Sequence, residues 1–142
     1  MVGVNGLVSC KQDEPGSNTS SDFCKAIVID AVRFEEATTD EYTLSEVQVR
    51  GDSLLMTVEY GGGCGAIDYE LLTQGYFAET NPVQLAIRLW LEDNDPCEAL
   101  ARQSICLDLS PLASLYRDDY QNSHGTIVLH LQGYEDELEY TF

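Results

Sequence analysis

The stretch that decides the fold is Val83–Leu91, which reads VQLAIRLWL. Its aliphatic residues recur at every second position, and the positions between them include Gln84, Arg88 and Trp90. Period-two alternation is typical of a β-strand with one buried face, because successive side chains of a strand point to opposite sides of the sheet. The segment is therefore predicted to be a strand whose aliphatic face lies in the core.

The same alternation recurs elsewhere in the chain, in segments 27–31, 44–49, 54–60, 69–71, 105–109, 127–131 and 138–142. Turn-forming residues separate these segments; Gly51-Asp52 suits a tight hairpin, and the Asn81-Pro82 region is expected to join two antiparallel strands. The pattern predicts an all-β fold, an antiparallel β-sandwich of about seven to eight strands with one or two short helical turns.

Helical signals are short. Pro111–Tyr116 is predicted to form one or two helical turns with Ser110 as N-cap, because proline suits the first helical position and serine the cap. Glu98–Gln103 is a second candidate, since it contains good helix formers.

The charge balance is strongly acidic, with 25 Asp and Glu residues against 7 Lys and Arg and a formal net charge of −18. At 142 residues and 44% hydrophobic content the chain suits one globular domain. A surface this negative repels phosphate backbones, so no nucleic-acid partner is expected. Cations, basic peptides and neutral glycans remain compatible with it, as does plain solvation of the surface.

The N-terminal segment points to lipid anchoring. Leu7-Val8-Ser9-Cys10 matches a lipoprotein processing box in which Cys10 receives the lipid, and Lys11–Asp22 is a polar run typical of a flexible tether. Met1–Ser9 lacks the basic start and the apolar stretch of roughly 7–15 residues that a full signal needs. Residues 1–22 are therefore interpreted as a truncated signal with lipobox and tether, and residues 23–142 as the β-sandwich domain.

Four of the five cysteines remain once Cys10 is assigned to lipid. Cys64 and Cys97 flank the predicted hairpin at its open end, so a disulfide between them is expected, and it would stabilise the fold by roughly 3–4 kcal/mol. Cys24 and Cys106 lie in the outward phase of their strands and either bridge neighbouring strands or remain free thiols. Paired cysteines would indicate an oxidising compartment.

Several short motifs resemble a group of uncharacterised envelope lipoproteins from the Bacteroidota. They are Tyr60–Gly65 with Tyr69–Leu71, then Leu89–Leu91, Asp95–Leu100 and Asp108–Leu112. The lysine and acids directly after Cys10 also resemble the surface-export signal of lipoproteins from these bacteria. The resemblance implies a β-rich fold and location in the cell envelope, as an outer-membrane lipoprotein exposed on the surface, with no established activity. The group commonly carries two histidines near these motifs that this chain lacks.

Two chemical sites are weighed as alternatives to simple structure. Glu92, Asp93 and Asp95 form the densest oxygen cluster on a predicted loop and are calcium candidates, although the spacing of an EF-hand is absent. The sequence favours a solvated turn over a calcium site for these residues. Cys64 in its glycine-rich segment is a candidate nucleophile, but only His124 and His130 are available as bases and neither is tied to it.

The outward face of the 83–91 strand offers a different kind of site. Arg88 and Trp90 can form a binding patch for a protein or a glycan, because aromatic and arginine side chains are enriched in recognition surfaces. The sequence thus favours a lipid-anchored envelope module that binds or supports structure and is not an enzyme. A calcium-supported adhesin-like domain is the alternative, and a cysteine-dependent hydrolase is a further one.

Overall fold

The computed structural model describes residues 24–62, 67–93, 97 and 99–142. These ranges contain nine strands and two helices: β1 (Lys25–Ala26), β2 (Val28–Ile29), α1 (Ala31–Glu36), β3 (Tyr42–Arg50), β4 (Ser53–Gly62), β5 (Asp68–Thr73), β6 (Val83–Glu92), β7 (Ala99–Asp108), α2 (Ser110–Tyr120), β8 (Thr126–Leu131) and β9 (Leu138–Thr141). The lipobox, the tether, Cys64 and Asp95 lie outside the described residues.

The strands form two sheets that pack face to face, which confirms the predicted β-sandwich. One sheet has the order β9-β8-β6-β5-β2 and the other the order β1-β7-β4-β3. The expectation of purely antiparallel pairing is wrong, because β1 with β7, β2 with β5 and β6 with β8 run parallel. Period-two patterning specifies which face of a strand is buried and leaves the direction of its neighbour open.

The aliphatic rows fill the space between the sheets as predicted. In β6, Ile87, Leu89 and Leu91 are fully buried, while the residues between them are half-buried or exposed. Leu54 and Leu107 are equally buried from the facing sheet. Each such side chain contributes roughly 1.5–3 kcal/mol when it leaves water, so these rows supply most of the driving force.

The predicted hairpins and the strand at 44–49 are present. Gly51 and Asp52 link β3 to β4, and Gly51 has a φ of 60°, a conformation that glycine adopts without a Cβ clash. β5 and β6 pair antiparallel, and the peptide bond between Asn81 and Pro82 in their connection is cis.

Two helical predictions and one strand prediction need correction. Residues 99–108 are a strand, not a helix, because β7 pairs with β4 at ten successive positions and this pairing overrides a weak local propensity. The second helix runs further than predicted, from Ser110 to Tyr120, and Leu109 occupies the N-cap position. The hydroxyl of Ser110, the predicted N-cap, donates to Asp108 Oδ2 at 3.0 Å. The strand expected over 27–31 ends at Ile29, where Asp30 caps α1 by accepting a hydrogen bond from the Arg33 amide at 3.1 Å.

Two tyrosines brace the sandwich by hydrogen bonds between the sheets. The Tyr42 hydroxyl of β3 donates to the Leu89 carbonyl of β6 at 2.6 Å. The Tyr140 hydroxyl of β9 donates to Asp52 Oδ1 in the β3–β4 turn, also at 2.6 Å. Burial and the neighbouring Asp52 carboxylate raise the pKa of Tyr140, so its hydroxyl keeps its proton.

We expect Tyr140→Phe to lower the free energy of unfolding by about 1–2 kcal/mol, because it removes a hydrogen bond to a carboxylate from a buried position. Urea unfolding at pH 7 measures the change. Tyr76→Phe is the matched control, since Tyr76 is 71% exposed and its substitution should leave stability unchanged.

The stability that Tyr140 contributes is complete below pH 10, the ordinary pKa of tyrosine, and declines above it. Above pH 10 the tyrosine of the unfolded chain ionises first, because the pKa of Tyr140 is higher in the folded chain. The stability of the wild-type chain should therefore fall more steeply above pH 10 than that of Tyr140→Phe. Parallel profiles for the two chains would contradict the buried, proton-retaining hydroxyl.

Candidate functional site

Residues 24–29 lie along one edge of both sheets. β1 pairs with β7 of the four-stranded sheet, and β2 pairs with β5 of the five-stranded sheet. A disulfide joins Cys24 to Cys106 of β7, with Cα atoms 4.6 Å apart and a sequence separation of 82. Directly after it, Lys25 pairs with Leu107 in β1, and the Lys25 ammonium donates to the Tyr69 carbonyl of β5 at 3.0 Å. The sequence left open whether Cys24 and Cys106 are bonded, and the structure shows the disulfide. It links this segment to the four-stranded sheet, while Lys25 contacts the five-stranded sheet.

Beside this disulfide lies a groove of about 640 Å³. It is formed by β3, β4 and β7 together with one residue of β5. Its lining combines a carboxylate with uncharged polar, aromatic and aliphatic residues: Glu46, Gln48, Leu55, Met56, Thr57, Tyr69, Gln103, Ser104, Ile105 and Cys106. We call this surface the β3–β7 groove.

A bulge in β3 aims Glu46 into the β3–β7 groove. The pairing of β3 with β4 shifts register between Ser45 and Gln48, and Glu46 has a φ of 53°, which is rare for a residue with a side chain. Bulges and left-handed residues of this kind re-aim side chains and cluster at functional sites. This strained backbone is the clearest local mark of a site in the described chain.

The Glu46 carboxylate is held ionised. The Thr57 hydroxyl donates to Glu46 Oε1 at 2.8 Å, and Arg102 Nη2 lies 3.4 Å from the same oxygen. The hydrogen bond from Thr57, followed by the positive charge of Arg102, lowers the pKa of Glu46. Glu46 therefore acts as a fixed negative charge near neutral pH and not as a proton donor.

The lining of the β3–β7 groove suits binding better than covalent chemistry. Amides and hydroxyls of Gln48, Gln103 and Ser104 offer both donors and acceptors, and Leu55 supplies an apolar floor. The sulfur of Cys106 is held in its disulfide, and the groove's lining residues include no histidine. A nucleophile paired with a base is thus not assembled by these residues.

The predicted patch of Arg88 and Trp90 lies beneath α1. Arg88 Nη1 donates to the Phe34 carbonyl at 2.5 Å, and Arg88 Nη2 donates to the Ala37 carbonyl, so the guanidinium holds the end of the helix. The Arg33 guanidinium lies over the Trp90 ring at 5.3 Å. Both predicted residues are half-buried, and the donors of Arg88 are engaged by the chain's own backbone.

Two of the three calcium candidates, Glu92 and Asp93, lie at the end of β6 and directly after it. Glu92 is the exposed last residue of β6, and the Asp93 amide donates to Asp40 Oδ2 at 2.7 Å, while Asp95 lies outside the described residues. Within residues 24–62, 67–93, 97 and 99–142, no three histidine, cysteine or acidic side chains come together in a way that could hold a metal.

Among the remaining sequence candidates, Cys97, His124 and His130 do not line the β3–β7 groove. Cys97 is disulfide-bonded, and its expected partner Cys64 is outside the described residues, so that pairing stays a prediction. His130 Nε2 lies 2.5 Å from Gln84 Oε1, and both residues belong to the five-stranded sheet. His124 is exposed in the turn before β8.

Sequence reasoning missed the groove because its residues come from four strands. Thr57 and Ser104 were visible only as polar residues in the outward phase, a pattern that any solvent-facing sheet shares. Neither glycine nor proline marks the bulge at Glu46 in the sequence. Only the interruption of alternation between Ser45 and Val47 hints at it.

No protein-family model matches the chain, and no curated protein is detectably similar to it in sequence. Solved structures resemble it more. A Parabacteroides distasonis protein named as toxin-related shares 20% identity at a TM-score of 0.50, over 84% of this chain and 59% of that one. A Bacteroides fragilis protein named as a lipoprotein shares 14% identity at a TM-score of 0.49, over 84% and 68%.

A Bacteroides vulgatus protein of unknown function shares 14% identity at a TM-score of 0.46, over 84% of this chain and 55% of that one. The chain thus spans about three fifths of the length of the first of these structures, 59%. At such identities the likeness concerns the fold alone. In the described part of the chain, neither helix has the length and apolar character needed to cross a bilayer.

We expect Thr57→Val to raise the pKa of Glu46 toward its ordinary value of 4.5, because the substitution removes the hydrogen bond that chiefly stabilises the carboxylate. Carbon-detected NMR titration of the glutamate carboxyl groups measures the shift. Thr43→Val is the matched control: Thr43 donates at 3.5 Å to Glu59 instead, and its loss should leave Glu46 unchanged. An unaltered Glu46 titration in Thr57→Val would exclude the described hydrogen bond.

We expect the double variant Cys24→Ala, Cys106→Ala to lose about 4 kcal/mol of unfolding free energy, because the disulfide closes a loop of 82 residues in the unfolded chain. Urea unfolding of the oxidised proteins gives the difference. Adding a reductant should destabilise the wild-type chain more than the double variant. A loss below 1 kcal/mol would mean that the bridge does not constrain the unfolded chain.

Proposed function

We propose that the chain is a non-catalytic binding module of the bacterial cell envelope, anchored by lipid on Cys10 and presenting the β3–β7 groove to a protein or glycan. In this proposal residues 1–22 supply the signal remnant and tether, and residues 23–142 form the binding domain. The ligand enters no covalent step, since the groove carries donors, acceptors and one fixed charge.

The Cys24–Cys106 disulfide is the observation that carries the proposal. Structural disulfides persist in oxidising compartments such as the periplasm and the cell surface, and are rare in the bacterial cytosol. The bridge comes two residues after the proposed tether, and Cys106 also lines the groove. A lipid on Cys10 would therefore leave the groove close to the point where the tether joins the domain.

The acidic surface supports exposure on the outside of the cell. A formal net charge of −18 disfavours close contact with anionic lipid heads and with nucleic acid. The tether supplies the reach that keeps such a domain away from the bilayer. The lysine and acids after Cys10 support export to the surface of the outer membrane.

Metabolic labelling with an alkyne fatty acid tests the anchor. We expect the protein expressed from its native gene to carry the label and to sediment with outer membranes, and Cys10→Ser to lose both. The control is the Cys24→Ala, Cys106→Ala variant, which should keep the label because it retains Cys10.

Protease treatment of intact cells then tests exposure. We expect the wild-type protein to be removed from intact cells and a periplasmic marker to survive. Labelling that persists in Cys10→Ser would contradict the proposed anchor. Full protection from protease would contradict exposure on the cell surface and place the domain inside the envelope.

A further inference from the structure

β7 has one paired edge and one open edge. Its residues 99–108 pair with β4 at ten successive positions, whereas β1 pairs only with Leu107 and Asp108 on the other side. In the described chain, the rest of the second edge has no strand beside it. Exposed sheet edges present backbone donors and acceptors that can pair with an added strand.

The backbone hydrogen bonds identify which residues face the open edge. The Asp108 carbonyl accepts from the Ile27 amide at 2.9 Å on the β1 side, and the next amide, that of Leu109, donates to the Asp52 carbonyl at 2.7 Å on the β4 side. Because backbone polar groups alternate along a strand, Leu100, Arg102 and Ser104 direct their amides and carbonyls to the open edge. Cys106 faces the same way, but Cys24 lies beside it, with the two Cα atoms 4.6 Å apart.

Two carboxylates beside Arg102 make the middle of this edge attractive to a cationic ligand, while the Lys25 ammonium at the β1 end is engaged by the Tyr69 carbonyl. Arg102 lies 3.4 Å from both the Glu46 and Glu59 carboxylates, so the cluster carries a net charge of −1. The Glu46 side chain is 68% exposed and can accept a second cation. A second copy of the chain is a poor occupant, since each copy carries a formal charge of −18.

We propose that the open edge of β7 binds an extended, basic segment of a partner protein as an added strand, with a lysine or arginine of that segment reaching Glu46. The proposal rests on the proposed function and names the ligand class of the β3–β7 groove. An added strand would lie about 4.8 Å from β7. From there a long cationic side chain can extend over β7 to Glu46, whose carboxylate already contacts Arg102.

Strand addition divides affinity and specificity between two features. Main-chain hydrogen bonds to the edge provide affinity for any extended segment, and side-chain contacts select among segments. Gln103 and Ser104 line the groove at the edge itself and supply polar contacts. Leu100 is 76% exposed near the start of β7 and offers an apolar contact at one end.

A display library of random octapeptides tests the proposal on the full 142-residue chain, oxidised and carrying Cys10→Ser to prevent intermolecular pairing. We expect enrichment of peptides that alternate Lys or Arg with β-branched residues. The enriched peptide, made synthetically, is then measured by fluorescence anisotropy against three variants of the chain.

Ser104→Pro removes an edge-facing amide without removing a hydrogen bond to β4, and should weaken binding at least tenfold. Ser104→Ala is the matched control and should stay within twofold. Glu46→Gln should weaken binding about fivefold and reduce its dependence on salt. Circular dichroism and thermal melting show whether each variant is folded.

Hydrogen exchange on the wild-type chain keeps the test decisive if Ser104→Pro does not fold. The amides of Leu100, Arg102 and Ser104 should exchange faster than those of Ala101 and Gln103 in the free protein. The enriched peptide should slow them at least tenfold.

The proposal is overturned by no enrichment, by enrichment of acidic peptides, by equal binding to Ser104→Pro, or by no protection of these amides. A dimer of the wild-type chain that Ser104→Pro abolishes would assign the edge to a second copy instead. None of these outcomes bears on lipid labelling at Cys10, and loss of that labelling would leave peptide binding intact, so the two proposals fail separately.

Discussion

The Cys24–Cys106 disulfide is the constraint on which the rest of the site depends, because it fixes where the chain enters the sandwich. With Cys24 held beside β7, the following residues can pair with that strand only at Leu107 and Asp108 before they cross to β5. The crossing closes one end of the open side and leaves the remainder of the β7 edge without a strand in the described chain. The same bond immobilises Cys106 in the groove wall and removes its thiol from chemistry.

The charged side chains on the two outer faces of the sandwich are engaged differently. On the five-stranded sheet, α1 lies over β6, and Arg88 binds the carbonyls at the end of that helix. An arginine with its donors satisfied in this way positions an element and contributes little to recognition. On the four-stranded sheet the β3 bulge points an ionised carboxylate across β4 toward β7. The proposed binding site therefore lies on the face that the sequence did not single out.

The sequence predicted the core well and the site poorly, for one physical reason. Burial leaves a repeated record in each strand, so Ile87 and Leu89 identify β6 without any knowledge of its neighbours. The direction of neighbouring strands leaves no such record, and the parallel pairs went unpredicted. Residues 99–103 contain good helix formers, which predicted a helix. They form a strand because they pair with β4, which is distant in sequence. Glu46 was missed for a related reason, since its role exists only once Thr57 and Arg102 lie beside it.

An open edge strand is a hazard for a protein, because copies of the same chain can pair through it and aggregate. Sandwiches commonly protect such edges with charge, proline or a covering segment, and on β7 only Arg102 is charged along the open edge facing outward. Its two carboxylate neighbours cancel that charge and leave a small excess of negative charge. The formal net charge of −18 on the chain disfavours such pairing, since it repels another copy over distances near the Debye length, roughly 8–10 Å. In the proposed strand addition the same field attracts a cationic segment, so the charge that repels an identical chain favours a basic partner.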